Sequence, residues 1–447
     1  MKKNLKLIGS FLLLMVVVLI GFIIFTKHSS PRKITIDSQS TIYRSLNGTP
    51  SENLTKVIEL MGGVDKIIGE TDVVVIKPNV QWWNHGATNL SALKTFIDLI
   101  MNRPSGFYGE VIIAENNHHG KTEPWKYENS GWMKRFERNS DLKMIKNFND
   151  LTNYLKKTYG NRYSTCYWVD VGGGGERVFG PADGTGYVYC DGTGSVPMIS
   201  FDNGAKGDDF REVIMTYPIF KTDMGTIVDL KNGIWKEGIY TEQPLRFINF
   251  ATINHHSEYC GATGAIKNYF GVTDISGGPD GKLAGKYSNF HSFAFNNKWH
   301  AGPVAGMLGA EIAFFMNTIR KADLNIIAAE WVGLASRTEP PVDHTRTILA
   351  SADPVALDYH VTKYLLYPNS NISIHNPDNK KSPLHQYLVK CAEYGGGVFD
   401  EKNVAVKSYD FKTKSFQSDD NLEIIGETTW GSHPKTLIKY FLLRLNL

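Results

Sequence analysis

Asp72-Val-Val-Val-Ile76 is the stretch that most narrows the fold. It is short, β-branched and almost wholly apolar, which predicts a strand buried on both faces, as inside a parallel sheet. Lys77-Pro78-Asn79 stops it abruptly. Residues 91–101 then show helical apolar spacing, and 109–114 (GEVIIA) form a second buried run. Strand, helix, strand at this distance is a βαβ unit. Upstream, Val57, Ile58, Leu60, Met61 and Val64 make residues 53–68 helix-like, whereas 27–55 read as a polar linker and lead-in.

The pattern then breaks. Residues 171–207 hold 11 glycines in 37 positions, among β-rich segments such as YSTCYWVDV and REVIMTYPIF. Residues 160–245 therefore read as a β-rich insertion, with a tight hairpin turn at Lys231-Asn232-Gly233. The GGGG at 172–175 has no following G-K-[ST], so a hairpin loop explains it better than a phosphate loop. The α/β pattern returns with a strand at 245–253, a helix at 303–321, a strand at 324–328 and a helix at 352–366. That last helix opens on Asp353-Pro354. The final residues, 436–447, suit an amphipathic helix.

The N-terminus is a separate matter. Residues 7–25 are apolar apart from Ser10 and two glycines, and 19 residues span a bilayer core. No small-residue cleavage site follows, so an uncleaved signal anchor is expected rather than a removed signal. Charge flanks are nearly balanced, and the short basic head favours a cytoplasmic start with an extracytoplasmic body at the cell membrane. Lys2, Lys3, Lys6, Lys27, Arg32 and Lys33 are six of the 48 basic residues, and residues 1–33 hold no acid. Against 45 acids, the formal +3 of the chain becomes −3 for the rest. Such a body does not suit nucleic acid as a partner. Cys166, Cys190, Cys260 and Cys391 are far apart with no C-x-x-C, which leaves three full disulfide pairings open and excludes a local zinc ribbon or iron–sulfur motif.

Four stretches carry chemistry, all at strand ends or helix starts, where open α/β sheets bind ligands. The first is Lys77-Pro78-Asn79, followed by Trp82 and Trp83, which suit stacking on a planar or sugar ligand or ordinary packing. The second is Glu115-Asn116-Asn117-His118-His119, where carboxylate and imidazole could hold a metal or move a proton. Adjacent histidines cannot both face the same way, so one at most serves. The third is Gly261-Ala-Thr-Gly264-Ala-Ile-Lys267-Asn268. A helix starting there would offer free N–H groups to an anion, with Lys267 adding a charge; a packed glycine turn with a surface lysine is the plain alternative. The fourth is Ser351-Ala-Asp353-Pro354-Val-Ala-Leu-Asp358. Capping explains Asp353, while Asp358, in an apolar turn, needs a partner such as Lys267.

Taken in order, Ile76-Lys77-Pro78-Asn79, Glu115, Thr263-Gly-Ala-Ile-Lys267-Asn268-Tyr-Phe-Gly271 and Ser351-Ala-Asp353-Pro354-Val-Ala-Leu-Asp358 resemble the domain of unknown function 362 family. The resemblance covers roughly residues 70–366, interrupted by the β-rich stretch. Asn254-His255-His256 stand where the family pattern has a lysine, and the iron–sulfur cysteine modules of many relatives are missing. The resemblance therefore implies no iron–sulfur cluster here, and it names no reaction.

The expectation is an α/β fold with a mostly parallel sheet, flanking helices, a β-rich glycine-rich insertion and one N-terminal transmembrane helix. The expected segments are an anchor at 1–33, α/β parts at 34–159 and 246–447 forming one domain, and the insertion at 160–245. The expected site is a crevice for a small anionic ligand. Lys77, Asn79, Lys267, Asn268 and Asp353 would bind, and Glu115, Asp358 and His118 would do acid–base work. A divalent metal, with His118, His255 and Glu115 as ligands, is one option for a cofactor. The alternatives are a non-catalytic protein holding a metal or an envelope ligand, and a scaffold without any ligand.

Overall fold

Alternation along the central strands explains the layering. In β2 (Val73–Lys77), Val73 and Val75 belong to one apolar cluster, and Val74 and Ile76 to another on the opposite face. A strand buried on both faces needs cover on both, and helices provide much of it. The computed structural model describes residues 39–80, 82–117, 142–204, 211–256, 260–276, 306–417 and 421–445. The apolar run at 7–25 and His118 lie outside them. Among the described residues no helix is long and apolar enough to cross a membrane.

Before β2 come β1 (Ser40–Leu46) and α1 (Pro50–Leu60). After it follow α2 (Leu90–Met101), β3 (Glu110–Asn117), α3 (Phe148–Tyr159) and β4 (Tyr163–Val169). Short strands come next: β5 (Gly186–Tyr189), β6 (Ser200–Asp202), β7 (Glu212–Ile214), β8 (Thr216–Lys221), β9 (Ile227–Asp229), β10 (Gly233–Lys236) and β11 (Ile239–Tyr240). The chain returns through β12 (Leu245–Ala251), α4 (Ala265–Asn268), α5 (Met307–Thr318), β13 (Leu324–Gly333), β14 (Val342–Ser351), α6 (Pro354–Val361) and α7 (Pro383–Glu393). It closes with β15 (Val404–Asp410), β16 (Ser415–Gln417), β17 (Glu427–Thr429) and α8 (Pro434–Arg444).

The main sheet has ten strands in the order β16-β15-β1-β14-β13-β12-β2-β3-β4, with β17 pairing to β14. From β13 to β4 every neighbouring pair is parallel. The other half mixes directions, because β14 runs antiparallel to both β13 and β1. The mixed α/β architecture with a large, mostly parallel sheet agrees with the expectation. Helix starts are locally encoded. Thr49 and Glu52 form a capping box on α1, and the Asn89 side chain accepts from Ala92 N at 2.9 Å on α2.

Three elements differ from the sequence reading. Residues 40–46, read as linker, form β1 inside the sheet. Its Arg44 is fully buried, yet Nε donates to Ser408 Oγ at 2.9 Å and Nη1 lies 3.1 Å from His360 Nε2. A buried, partnered arginine looks like a surface residue in sequence. Residues 163–169, grouped with the β-rich stretch, form β4 at the parallel edge of the main sheet, beside β3. The helix expected over 352–366 is α6 followed by a wider π turn over Thr362–Leu366, where Thr362 Oγ1 donates to the Asp358 carbonyl.

In the rest of that stretch, five strands lie in the order β11-β10-β9-β8-β5, and β6 pairs with β7 as a separate two-stranded sheet. β9 and β10 meet around residues 230–232. There Asp229 accepts the N–H groups of Lys231 and Asn232 and the Tyr240 hydroxyl. No disulfide joins the four cysteines.

Candidate functional site

The site begins as a row of polar side chains across three parallel strands. Asn325 of β13 pairs in register with Asn249 of β12, and Asn249 with Lys77 of β2. All three are buried on one face. The small helix α4 covers the row. Asn249 donates to Asn325 Oδ1 at 2.9 Å and to the Ala265 carbonyl at 2.8 Å, and Asn268 donates to Asn249 Oδ1 at 2.7 Å.

Lys77 ends the row. Its Nζ lies 2.7 Å from Glu115 Oε1 and donates to Asn268 Oδ1 at 3.1 Å and the Pro78 carbonyl at 2.9 Å. An ammonium has three protons, so its donors are all engaged. Burial pulls the Lys77 pKa down, and the Glu115 charge opposes that. Glu115 also accepts the N–H groups of Val80 and Asn116. Gly271 closes over the pair: a Cβ there would sit 2.7 Å from Lys77 Nζ and 2.8 Å from Glu115 Oε1. Lys77 and Glu115 hold the floor of the site together.

Asp358 gives the sharpest turn to the reading of the glycine segment. A start of α4 was expected to offer its N–H groups to an incoming anion. Those groups already have one: Ala265 N donates to Asp358 Oδ1 at 2.7 Å, and Ile266 N to Oδ2 at 2.9 Å. Burial pushes the Asp358 carboxyl up to about 7, against the pull of the two N–H groups. Its carboxylate is held by these two N–H groups rather than by Lys267. Gly264 sits at φ +151°, where a Cβ would meet Asp358 Oδ1 at 2.6 Å. Asp353 likewise caps α6 through Val355 N and Ala356 N, and it ties in Val398 N.

Above this floor lies an open cleft of about 440 Å³, including its mouth. Lys77, Asn79, Glu115, Lys267 and Asn268 line it, as do Trp82, His256, Thr263 and Arg337. Asp353, Asp358 and His255 do not. Lys267 Nζ stands 4.0 Å over the Phe270 ring, and the Arg337 guanidinium 4.0 Å over the Trp82 ring. Arg337 Nη1 also lies 3.1 Å from His256 Nε2. Among the described residues no carboxylate reaches either cation. Burial brings Lys267 down to about 8, helped by the positive charges of Arg337 and Lys77, and brings Arg337 down to about 10. Among the described residues Trp82 Nε1 is buried without an acceptor.

The stretch that departs from the family pattern has structural tasks. Asn254 donates to the His85 carbonyl and accepts from Gly333 N. His255 Nδ1 lies 2.9 Å from His375 Nε2, whose Nδ1 meets Ser370 Oγ at 2.7 Å. Among the described residues no group of three His, Cys, Asp or Glu side chains gathers for a metal, and His118 lies outside them. Sequence reasoning missed Arg337. It sits in the loop after β13 with no motif around it, and only the fold carries it to Trp82.

Residues 241–363 match the family model of a domain of unknown function, DUF362. The match covers the glycine segment and the Asp353–Asp358 segment, whereas Lys77 and Glu115 lie before it. No curated protein and no solved structure matches the chain.

Proposed function

We propose, for this member of the DUF362 family, that the cleft binds a small ligand through a phosphate-like or carboxylate anion held by Lys267 and Arg337. The observation that carries this reading is the pair of cations lining one cleft, with no carboxylate against either among the described residues. A guanidinium matches such anions with two parallel hydrogen bonds, and partial burial strengthens each contact. Asn79, whose side-chain amide makes no hydrogen bond among the described residues, and the Trp82 N–H would add neutral donors. Lys77 and Glu115 would serve by fixing Asn268 and the loop after β2. The same reading keeps residues 7–25 as a signal anchor, with the body on the outer side of the cell membrane.

Sulfate is the simplest probe, because its charge is constant across neutral and alkaline pH. Sulfate should raise the melting temperature of the full chain. Lys267→Ala and Arg337→Ala should each weaken that binding by about 10–100-fold, the worth of one charge-assisted hydrogen bond. Both variants should keep near-native stability, since neither cation joins the hydrogen-bonded floor. Unchanged sulfate binding in both would end the reading.

The pH profile gives a second check. Lys267 loses its proton near 8, so sulfate affinity should fall as pH rises through that value. Lys267→Arg should move the fall to higher pH. Stability without ligand runs the other way. The folded value lies below the 10.5 of an ordinary lysine, so the unfolded chain binds more protons between about 8 and 10.5, and this lysine's share of stability rises across that window. Titration calorimetry and urea melts separate the two.

A further inference from the structure

The C-terminal helix α8 has two apolar faces. The inner one is accounted for: Thr436 and Tyr440 are buried, and Tyr440 and Leu443 pack with Leu334, Ala335 and Ile372. The outer one is not. Ile438, Phe441, Leu442 and Leu445 are 58%, 52%, 44% and 66% exposed. Their spacing of three, four and seven residues puts them on one stripe, about half a turn from Tyr440 and Leu443. Trp430, 55% exposed, stacks on Phe441 with ring centroids 6.4 Å apart and lengthens the patch. Soluble surfaces carry scattered apolar residues, not a contiguous stripe of this kind.

The rim says what covers it. On the helical wheel Lys435 and Lys439 fall on one side of the stripe and Arg444 on the other. Residues 431–447 contain no Asp or Glu, and Glu427, the nearest acid before them, pairs with Arg346. An apolar stripe, an adjoining tryptophan and a rim of cations are the features of a helix lying in the plane of a bilayer surface. We propose that α8 lies flat in the headgroup region of an anionic bilayer, with Ile438, Phe441, Leu442 and Leu445 in the acyl boundary and Lys435, Lys439 and Arg444 on headgroup phosphates. This rests neither on the N-terminal run nor on the anion cleft. Leu334 and Ala335, which support the helix, lead within two residues to Arg337.

The test uses the full chain with vesicles of phosphatidylcholine, with or without about a third phosphatidylglycerol. A nitrobenzoxadiazole label at Leu445→Cys reports depth through quenching by brominated lipid. A label at Ile239→Cys, exposed on β11, is the control, and labelled parent protein gives the background from native thiols. Quenching at 445 should exceed that at 239 several-fold and should need phosphatidylglycerol. Lys435→Gln, Lys439→Gln and Arg444→Gln should weaken the lipid-dependent signal by about fivefold each. Equal quenching at the two positions overturns the proposal, even if the chain stays on the vesicles through its N-terminus. So does shielding of the 445 label that grows with protein concentration and ignores lipid, since a second copy then covers the stripe.

Discussion

Lys77→Met should destabilise the full chain by about 3–5 kcal/mol, the usual cost of leaving one partner of a buried ion pair alone. Both side chains of the pair are nearly inaccessible, at 2% and 3% exposure. Without the ammonium, Glu115 keeps two backbone donors and must either hold an uncompensated charge or take up a proton. Asn268 Oδ1 and the Pro78 carbonyl also lose their donor. The double variant Lys77→Met/Glu115→Gln should regain much of the loss, because neutral groups leave no charge in the interior. Urea denaturation of the three proteins checks this. A single variant within about 1 kcal/mol of the parent would show that the pair does not hold the floor, and the cleft would need another explanation for its order.

Gly264→Ala should cost a comparable amount for a different reason. At φ +151° the backbone lies where only glycine is at ease, and forcing a side chain there costs about 1–3 kcal/mol. The added Cβ also drives Asp358 off the two N–H groups, which costs about 1–3 kcal/mol more. Asp358 itself should leave a pH signature. Its folded value of about 7 lies above the ordinary 3.8, so the folded chain binds the extra proton between those values. Its share of stability is therefore greatest in acid and falls as pH rises from about 4 to 7. Asp358→Asn should flatten that part of the stability profile. A profile identical to the parent would mean that Asp358 titrates normally.

The legible parts of this protein were those where one residue type answers one local demand. The DVVVI and GEVIIA runs and the turn at Lys231-Asn232-Gly233 were of this kind. So was the placing of the four motif segments at strand ends or helix starts, and their order carried the family resemblance. The roles inside those segments were less visible. Asp358 and the glycine segment are about 93 residues apart in sequence, and nothing local says that one fills the anion site of the other. Lys77 and Lys267 look alike on paper, yet one is fully engaged by Glu115, Asn268 and Pro78 while the other faces the cleft over an aromatic ring. Arg337 and β1 were hidden for a shared reason: a buried or half-buried arginine is recognised by its partners, and those come from distant parts of the chain.

The in-register row of Asn325, Asn249 and Lys77 also acts on assembly. Its three strands come from residues 324–333, 245–251 and 73–77, so the row closes only after distant parts of the chain have met. Apolar β-branched strands tolerate a shift along one another poorly on one face but weakly resist it when both faces are equally greasy. Here a slip of one residue would turn an amide or an ammonium into the opposite apolar layer, away from every partner it has. The row works as a lock on strand alignment: the residues that floor the cleft are the same ones that reject a misaligned sheet.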